Sequence, residues 1–291
     1  MAKLKKTKQK PKLSSQYIIK ILQVFENNEW EIESTEEDQD SLFNRFCERL
    51  LAVGENKRRD LMIELTERYL WLQENDYSDH LIIALTNLLE MNSDINEKTK
   101  IYVMQLISPD DEGSTKSAAM LVYLFNSVRL RHHSSLSKYK FEIVDDKSKV
   151  HSYLSTDNSI LILADDYIGT GETAEKCILN LIDNGIDLKQ MSIVSLVTQQ
   201  KGLEYLSKYK LCVASSLIRD RGISDYYEGD VLLSKLELMK QIEERMSVKE
   251  KYKFGYGSTE SLVTMCRTPN NTFPLFWEES GNMKYAPFPR F

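Results

Sequence analysis

The fold of this chain is decided by the stretch Ile160-Leu-Ile-Leu-Ala-Asp-Asp-Tyr-Ile-Gly-Thr-Gly-Glu-Thr-Ala174. It begins with an apolar run, which predicts a buried β-strand. Two adjacent acids, Asp165 and Asp166, follow this run, and the short loop Gly169–Thr173 comes next. Beyond the loop, apolar residues recur at the three- and four-residue spacing of an amphipathic helix: Ala174, Cys177, Ile178, Leu181 and Ile182. The stretch therefore predicts a strand, a loop and a helix in immediate succession.

Each part of this stretch suits one part of a sugar phosphate. Ionised carboxylates only accept hydrogen bonds, so Asp165 and Asp166 would bind neighbouring ribose hydroxyls. Side chains alternate along a strand, so one of the two acids would orient the loop instead. The glycines of the loop let backbone N–H groups approach a phosphate, and its threonines and the start of the helix add donors. The candidate phosphate-binding residues are Gly169, Thr170, Gly171, Glu172 and Thr173.

Two other interpretations of this loop remain. The segment Gly169–Ala174 also fits the dinucleotide fingerprint G-x-G-x-x-A, and glycine and threonine are common in simple turns and helix caps. The fingerprint further requires an acid at the end of the next strand, but that strand runs into Gln199 and Gln200. It also requires a glycine directly after the strand, where two acids intervene here. We therefore favour the sugar-phosphate interpretation.

The following segments extend this unit into a parallel sheet. Gly185 predicts a left-handed cap at the end of the helix, and the apolar run Met191–Thr198 predicts a strand covered on both faces. Three further strands are predicted at Lys100–Ile107, Phe141–Val144 and Leu211–Leu217. We predict an α/β fold with a Rossmann-like, mostly parallel sheet and a site at the carboxyl ends of its strands.

The rest of the chain divides by composition. Residues 1–12 carry six lysines and predict a solvated basic leader, with an arm for nucleic acid or an acidic partner as the alternative. Residues 13–95 are rich in helix formers and nearly free of glycine, which predicts a helical region without strands. Residues 96–250 would form the α/β core, and residues 251–291 a separate C-terminal segment.

Length, charge and cysteine content exclude several classes of protein. A chain of 291 residues with 42% hydrophobic residues is long enough for two domains. The net charge of −6 argues against a general nucleic-acid-binding protein. The four cysteines form no C-x-x-C pair, which favours reduced thiols in a cytoplasmic protein over a zinc site. No apolar segment is long enough to span a membrane, so a membrane partner is not expected.

The C-terminal segment contains a second specific sequence, Thr268-Pro-Asn-Asn-Thr-Phe-Pro274. Two asparagines between two prolines predict a rigid loop that offers both donors and acceptors. Asn270 and Asn271 are therefore candidates for binding an acceptor molecule.

Both sequences resemble known proteins. The apolar strand, the two acids and Thr170-Gly-Glu-Thr173 resemble the phosphoribosyl-diphosphate signature of the type I phosphoribosyltransferases. The segment Thr268–Pro274 is similar to Thr-Pro-Asn-Asn-Thr-Leu-Pro in phosphoribosyltransferase-like proteins of bacterial conflict systems, which are phage-defence loci. Phe273 stands where that group usually has leucine. The resemblance covers about residues 100–291.

This resemblance implies a type I phosphoribosyltransferase fold with a hood-like C-terminal segment. The implied reaction transfers phosphoribose from phosphoribosyl diphosphate to an acceptor, which would be a nucleobase, nucleotide, nucleic acid or protein. Asp165 and Asp166 would be the catalytic residues, acting on the 2′ and 3′ hydroxyls and on the positive charge of the reacting sugar. Mg²⁺ would be the cofactor, and protein partners of a defence complex would hold the enzyme inactive.

The resemblance also places a diphosphate-binding loop after the first core strand. Its candidate residues are Gly113, Ser114, Thr115 and Lys116. They offer close backbone approach, two hydroxyls and one positive charge to a diphosphate. The preceding acids, Asp110, Asp111 and Glu112, would repel a diphosphate unless Mg²⁺ bridges them.

Two alternatives to a transferase remain. Only 14 residues, Asp145–Asn158, separate the second and third core strands, where the resembled family often has a long loop that closes over the sugar. This short interval favours a sensor that binds phosphoribosyl diphosphate or a nucleotide without turnover. The third class is an assembly subunit whose helical region and basic leader do the main work.

Overall fold

The computed structural model describes residues 12–32, 40–111, 117–144, 146–156, 158–281 and 283–290. The basic leader, apart from Lys12, and the diphosphate loop Gly113–Lys116 predicted from the sequence lie outside these described residues. No helix within the described ranges is long and apolar enough to cross a membrane.

The described residues form helices and strands that alternate through most of the chain. The helices are α1 (Ser15–Asn27), α2 (Leu42–Val53), α3 (Asn56–Glu67), α4 (Tyr77–Met91), α5 (Ser117–Leu124), α6 (Val128–Arg131), α7 (Val150–Leu154), α8 (Glu172–Asp183), α9 (Gln200–Leu206) and α10 (Gly229–Arg245). The strands are β1 (Leu70–Trp71), β2 (Lys100–Gln105), β3 (Phe141–Ile143), β4 (Ser159–Ile168), β5 (Met191–Gln199), β6 (Cys212–Arg219) and β7 (Val263–Thr264). Short 3₁₀ turns join several of these elements.

A parallel sheet of five strands forms the centre of the molecule. Its order is β3-β2-β4-β5-β6, and every neighbouring pair is parallel. The chain order reverses between β2 and β4, because the segment after β2 leads to the edge strand β3 and then back across to β4. Ligands of open α/β sheets bind at such a switch point, outside the carboxyl ends of the strands. The predicted α/β fold with a parallel sheet is confirmed. The switch point lies at the carboxyl ends of β2 and β4.

Helices cover both faces of this sheet. Alternate β4 residues face opposite ways, so Ile162 and Ala164 pack with α4 and α5 whereas Leu161 and Leu163 pack with α7 and α8. Helix α8 buries four of the five residues on its predicted apolar face, Ala174, Cys177, Ile178 and Leu181, whereas Ile182 is 37% exposed. Gly185 has a φ of +83°, as its predicted capping role requires. The sheet is therefore buried on both faces, which explains its continuous apolar strands.

The first three helices pack away from the sheet, against α10 and the C-terminal residues. Phe46 of α2 and Tyr69 contact Phe276 and Phe288 through their aromatic rings. Helix α4 instead packs on β5 and β6. The helices within residues 13–95 therefore divide between the sheet and the packing around α10. Strand β1 pairs with β7 within this region, although the sequence predicts no strand there. Two residues are too few to show a periodic pattern, and their hydrogen-bonding partner lies almost 200 residues away in the chain.

Candidate functional site

Strand β4 continues past the two acids, to Ile168. Asp165 stands opposite Ser195 of β5 in the sheet, so both acids belong to the strand and not to the loop after it. Their side chains consequently point to opposite faces of the sheet, as the alternation predicts. Asp166 turns toward the α4 and α5 face and is 4% exposed, whereas Asp165 is half-buried and lines the open cavity at the strand end.

Asp166 is held by two hydroxyl donors. Tyr77 of α4 donates to its Oδ2 over 3.1 Å, and Ser117 of α5 donates to its Oδ1 over 2.7 Å. The Tyr77 hydroxyl also accepts a hydrogen bond from the backbone N–H of Cys266 at 3.0 Å. Burial and the nearby carboxylate raise the pKa of Tyr77, so its hydroxyl stays a donor. Asp166 therefore links the sheet, two helices and the C-terminal segment.

Asp165 has a different environment. Its Oδ1 accepts a hydrogen bond from the backbone N–H of Asp166 at 2.9 Å. Burial raises the pKa of Asp165 well above its ordinary value, and the adjacent Asp166 carboxyl raises it further. A carboxyl whose pKa is raised in this way at a cavity wall is typical of a functional site, because a ligand with positive charge or hydroxyl donors would stabilise its ionised form.

The phosphate loop is shaped by glycines. Gly171 has a φ of +84° and immediately precedes helix α8, whose first two residues, Glu172 and Thr173, line the cavity at the strand end. A Cβ atom on Gly169 would lie 2.3 Å from Cγ of Asn271, and one on Gly202 would lie 2.4 Å from the carbonyl oxygen of Gly169. The hydroxyl of Thr170 accepts the N–H of Glu172 at 3.4 Å. At Gly169 and at Gly202, the neighbouring residues are therefore so close that a side chain would not fit.

The C-terminal segment (residues 251–290) packs directly against this loop. Tyr256 donates to the carboxylate of Glu172 at 3.0 Å, and a Cβ on Gly257 would lie 2.4 Å from the methyl carbon of Thr170. Asn271 donates from Nδ2 to the carbonyl of Tyr256 at 3.1 Å. These contacts cover one side of the phosphate loop with residues from the far end of the chain.

Two adjoining cavities open at the switch point. The first, about 390 Å³, is lined by all five predicted loop residues from Gly169 to Thr173 and by Asp165. The second, about 250 Å³, is lined by both acids and by the C-terminal segment. Asn270 and Asn271 line both cavities. The structure thus brings together every predicted site residue that it describes, and Lys116 with its loop lies outside the described residues.

The side chains of the two asparagines differ in their surroundings. Asn270 is half-buried, whereas Asn271 is 8% exposed and held beneath Gly169 by its bond to Tyr256. Hydrogen bonds from Thr259 at 2.8 Å and from the N–H of Ser261 at 3.2 Å also reach the carbonyl of Asn271. Asn270 therefore has the greater freedom to contact a ligand.

Several residues at the site escaped the sequence analysis. Five of them bond to a site acid or line a cavity: Tyr77, Ser117, Lys176, Arg267 and Arg290. Lys176 follows the loop by one helical turn and donates to Asp110 at 2.7 Å, a spacing from which it could have been predicted. Ser117 and Arg267 adjoin the predicted segments Gly113–Lys116 and Thr268–Pro274, whereas no local pattern marks Tyr77 and Arg290.

The described residues contain no group of three or more histidine, cysteine, aspartate or glutamate side chains that could hold a metal. Mg²⁺ is usually held by one or two carboxylates together with substrate phosphates. Asp111 and Asp165 both line the two cavities, so the donor set fits an ion that arrives with a phosphorylated ligand.

Comparisons with known proteins agree with this geometry. The model of the PRTase-CE family matches residues 34–290. Among solved structures, the orotate phosphoribosyltransferase from Aeropyrum pernix is similar at 20% identity, over 57% of this chain and 75% of that chain, with a TM-score of 0.26. No curated protein matches the chain. Because the family match includes the sheet, the phosphate loop and the C-terminal segment, the chain belongs to the PRTase-CE family of phosphoribosyltransferase-like proteins.

Proposed function

We propose that this protein binds phosphoribosyl diphosphate with Mg²⁺ and transfers the phosphoribosyl group to an acceptor. One observation carries the proposal: Asp165 stands between a cavity lined by the glycine loop and a second cavity lined by the C-terminal segment. A sugar bound by that carboxylate would place its phosphate in the first cavity and its reacting carbon near the second.

The first cavity supplies the phosphate subsite. Backbone N–H groups from Gly169 to Thr173 and the start of α8 would donate to the 5′-phosphate, and the helix dipole favours its negative charge. Lys176 lies one turn further along α8 and adds a positive charge at the cavity edge. This arrangement fixes the sugar at one end.

Asp165 would act on the sugar itself. Its ionised carboxylate would accept hydrogen bonds from the ribose hydroxyls and stabilise the positive charge that develops at the anomeric carbon. Asp166 accepts from Tyr77 and Ser117, which makes it the positioning partner of Asp165. We assign Asp165 the direct contact and Asp166 the task of fixing the strand end.

Transfer needs little covalent chemistry from the protein. The bond from the anomeric carbon to the diphosphate oxygen breaks with its electron pair on the diphosphate, and a lone pair of the acceptor forms the new bond. A proton carried by the attacking atom passes to the diphosphate or to water. Positioning of donor and acceptor in two adjoining cavities would provide most of the acceleration.

Mg²⁺ would supply charge neutralisation for the departing diphosphate. Asp111 and Asp165 are the described carboxylates that would hold it, since both line the two cavities. The acids before the predicted diphosphate loop would then favour the donor instead of repelling it.

The biological setting forms part of the proposal. Similarity of Thr268–Pro274 to phage-defence proteins supports a cytoplasmic effector whose toxicity is controlled by protein partners. None of the four cysteines forms a disulfide, which agrees with a reducing environment.

Calorimetric titration with phosphoribosyl diphosphate and Mg²⁺ tests the donor site. We expect wild-type protein to bind and Asp165→Asn/Asp166→Asn to lose at least 100-fold in affinity. The matched control is Asp183→Asn/Asp220→Asn, which removes two exposed carboxylates that line neither cavity. A folded wild-type protein that does not bind would refute the proposal, and so would equal losses in the two double variants.

A sensor without turnover is the second candidate. The short interval between β3 and β4 supports it, because α7 buries Val150 and Leu154 against the face of the sheet that α8 covers. That packing leaves the interval no long loop to close over the sugar and exclude water. Release of diphosphate in the presence of a panel of acceptors would favour the transferase, and tight donor binding without any release would favour the sensor.

A further inference from the structure

Two arginines of the C-terminal segment line the second cavity, together with Asp111, Asp165 and Asp166. Arg267 comes directly before the Thr-Pro-Asn-Asn loop, and Arg290 lies at the end of the described chain. The hydroxyl of Thr268 donates to the carbonyl of Phe288 at 3.0 Å, which joins the two parts of the segment that carry these arginines. This cavity is therefore lined by both acidic and basic side chains.

The surroundings of Arg290 favour an anion. Its guanidinium lies 5.4 Å from the ring centre of Trp277 and is half-buried. Burial lowers the pKa of Arg290, and the positive charge of Arg267 lowers it further, so the two guanidinium groups repel each other. An anion between them would reduce both the repulsion and the cost of burial.

We propose that the acceptor of the transfer carries its own carboxylate or phosphate group, which Arg267 and Arg290 bind. This inference rests on the proposed function and specifies the substrate class of the same site. The planar fork of an arginine matches either anion in a bidentate geometry. At the arginines, a cationic acceptor such as a lysine side chain would meet two like charges.

The position of the arginines separates them from the donor subsites. The phosphate loop lies in the first cavity, and the predicted diphosphate loop follows β2, whereas both arginines belong to the C-terminal segment. A volume of about 250 Å³ admits one ring of nucleobase size with a charged substituent. It lies below the range of roughly 300–1,000 Å³ that drug-sized ligands occupy.

In this arrangement the anionic group would orient the acceptor so that its nucleophilic atom faces the sugar. The lone pair of that atom forms the bond to the anomeric carbon while the diphosphate leaves with the electron pair of the broken bond. The arginines do not take part in this exchange, so they determine which acceptor binds and not how the donor is held.

The experiment is a two-stage calorimetric titration of the full chain. The first stage measures the affinity of wild type and of Arg267→Gln/Arg290→Gln for phosphoribosyl diphosphate with Mg²⁺. The second stage titrates the donor-loaded proteins with three matched pairs: orotate and uracil, nicotinate and nicotinamide, phenyl phosphate and phenol. Lys284→Gln is the control, because it removes an exposed positive charge from the same segment outside both cavities.

We expect the charged member of at least one pair to bind wild type at least 10-fold more tightly than its neutral partner. The double variant should lose this preference and keep its donor affinity within about twofold, whereas Lys284→Gln should keep both. If the double variant does not fold, the same preference in wild type should shrink between 50 and 300 mM salt.

Three outcomes overturn the inference. The first is that no charged probe binds better than its neutral partner, which includes the case in which none of the six binds. The second is a loss of donor affinity in the double variant as large as the loss of anion preference, which would assign the arginines to the leaving diphosphate. The third is a failure of wild type to bind the donor at the first stage, which refutes the proposed function itself.

Discussion

The two sides of the candidate site are built in contrasting ways. The phosphate side is one contiguous stretch, in which strand β4, the glycine loop and helix α8 follow each other within residues 159–183. The proposed acceptor side consists of the C-terminal segment, which the aromatic contacts of Phe276 and Phe288 hold against α2 and Tyr69. One side is thus fixed by local backbone geometry and the other by packing between distant parts of the chain.

This contrast predicts different sensitivities. Local loops followed by helices keep their shape as long as the sheet is folded, because their hydrogen bonds lie within the unit. A segment held by long-range packing depends on every element that it touches, so it is expected to open first when conditions become unfavourable. The following predictions test this difference, beginning with the largest expected effect.

Glu243 is expected to make the C-terminal segment sensitive to pH. This carboxyl of α10 is fully buried and accepts the N–H of Phe254 with both oxygens, at 2.9 and 3.1 Å. Burial raises the pKa of Glu243 from 4.5 to about 8, against the opposing influence of the Phe254 hydrogen bond and the charge of Lys253. The charges of Glu260 and Glu250 raise it slightly more.

The direction of the effect follows from this raised pKa. The neutral buried form contributes its full stability below pH 4.5, and this contribution is lost as the pH rises through about 8. The difference corresponds to at most about 5 kcal/mol, since one pKa unit is worth about 1.4 kcal/mol. Glu243→Gln should remove this pH dependence and stabilise the protein at pH 8, as measured by denaturant unfolding between pH 5 and 9. Glu244→Gln, at the exposed neighbour, should leave the dependence unchanged, and identical curves for both variants would contradict the prediction.

Gly255→Ala should destabilise the protein by about 3 kcal/mol, because the backbone strain of a positive φ and the steric overlap of the new Cβ add. Gly255 has a φ of +76°, and a Cβ there would lie 1.8 Å from the carbonyl oxygen of Asn271. Gly229 is a matched control, since its φ of +56° is also positive but a Cβ would have no neighbour within 4 Å. Gly229→Ala should cost about 1 kcal/mol or less in chemical denaturation. Equal losses for the two variants would show that the backbone contact between Gly255 and Asn271 is not close.

The same contrast explains what the sequence could predict. The strand, loop and helix around Gly169 were predictable because their signals lie within one stretch and obey known periodicities. The opposite orientation of Asp165 and Asp166 followed from strand alternation alone. Tyr77, Arg267 and Arg290 were not predictable, since their meeting depends on how α4 and the C-terminal residues pack around the sheet. Strand β1 was missed for the same reason, because only its pairing with Val263 and Thr264 defines it.

One added Cβ atom at Gly169 should disrupt the contact between the glycine loop and the C-terminal segment. Gly169→Ala should place a Cβ about where the side chain of Asn271 lies, since the separation would be 2.3 Å. We expect this variant to lose 10- to 30-fold in affinity for phosphoribosyl diphosphate, roughly 1.4–2 kcal/mol, because the loop or the asparagine must move. Gly169→Ala/Asn271→Ala should recover most of the loss, which donor calorimetry would measure as a coupling between the positions. Additive effects of the two changes would mean that the two sides do not constrain each other here.

The last prediction concerns the two acids, which should respond to the same substitution with opposite signs. Asp165→Asn should stabilise the ligand-free protein by about 1 kcal/mol near neutral pH, because it removes a carboxyl whose pKa burial and Asp166 raise. That advantage should grow as the pH rises, since ionisation of Asp165 is what costs stability. Asp166→Asn should destabilise the protein by about 1–2 kcal/mol, because its NH₂ group replaces one of the two oxygens that accept from Tyr77 and Ser117 and cannot accept there.

Thermal unfolding of the two single variants, without and with phosphoribosyl diphosphate, measures both effects. Asp165→Asn should have a higher melting temperature than wild type when free and gain little from the donor. A higher melting temperature of Asp165→Asn would support the proposed contact of Asp165 with a ligand, whereas Asp166 is already bonded to Tyr77 and Ser117. If both variants are destabilised, Asp165 is a structural residue of the strand end, and the direct contact with the sugar must be reassigned.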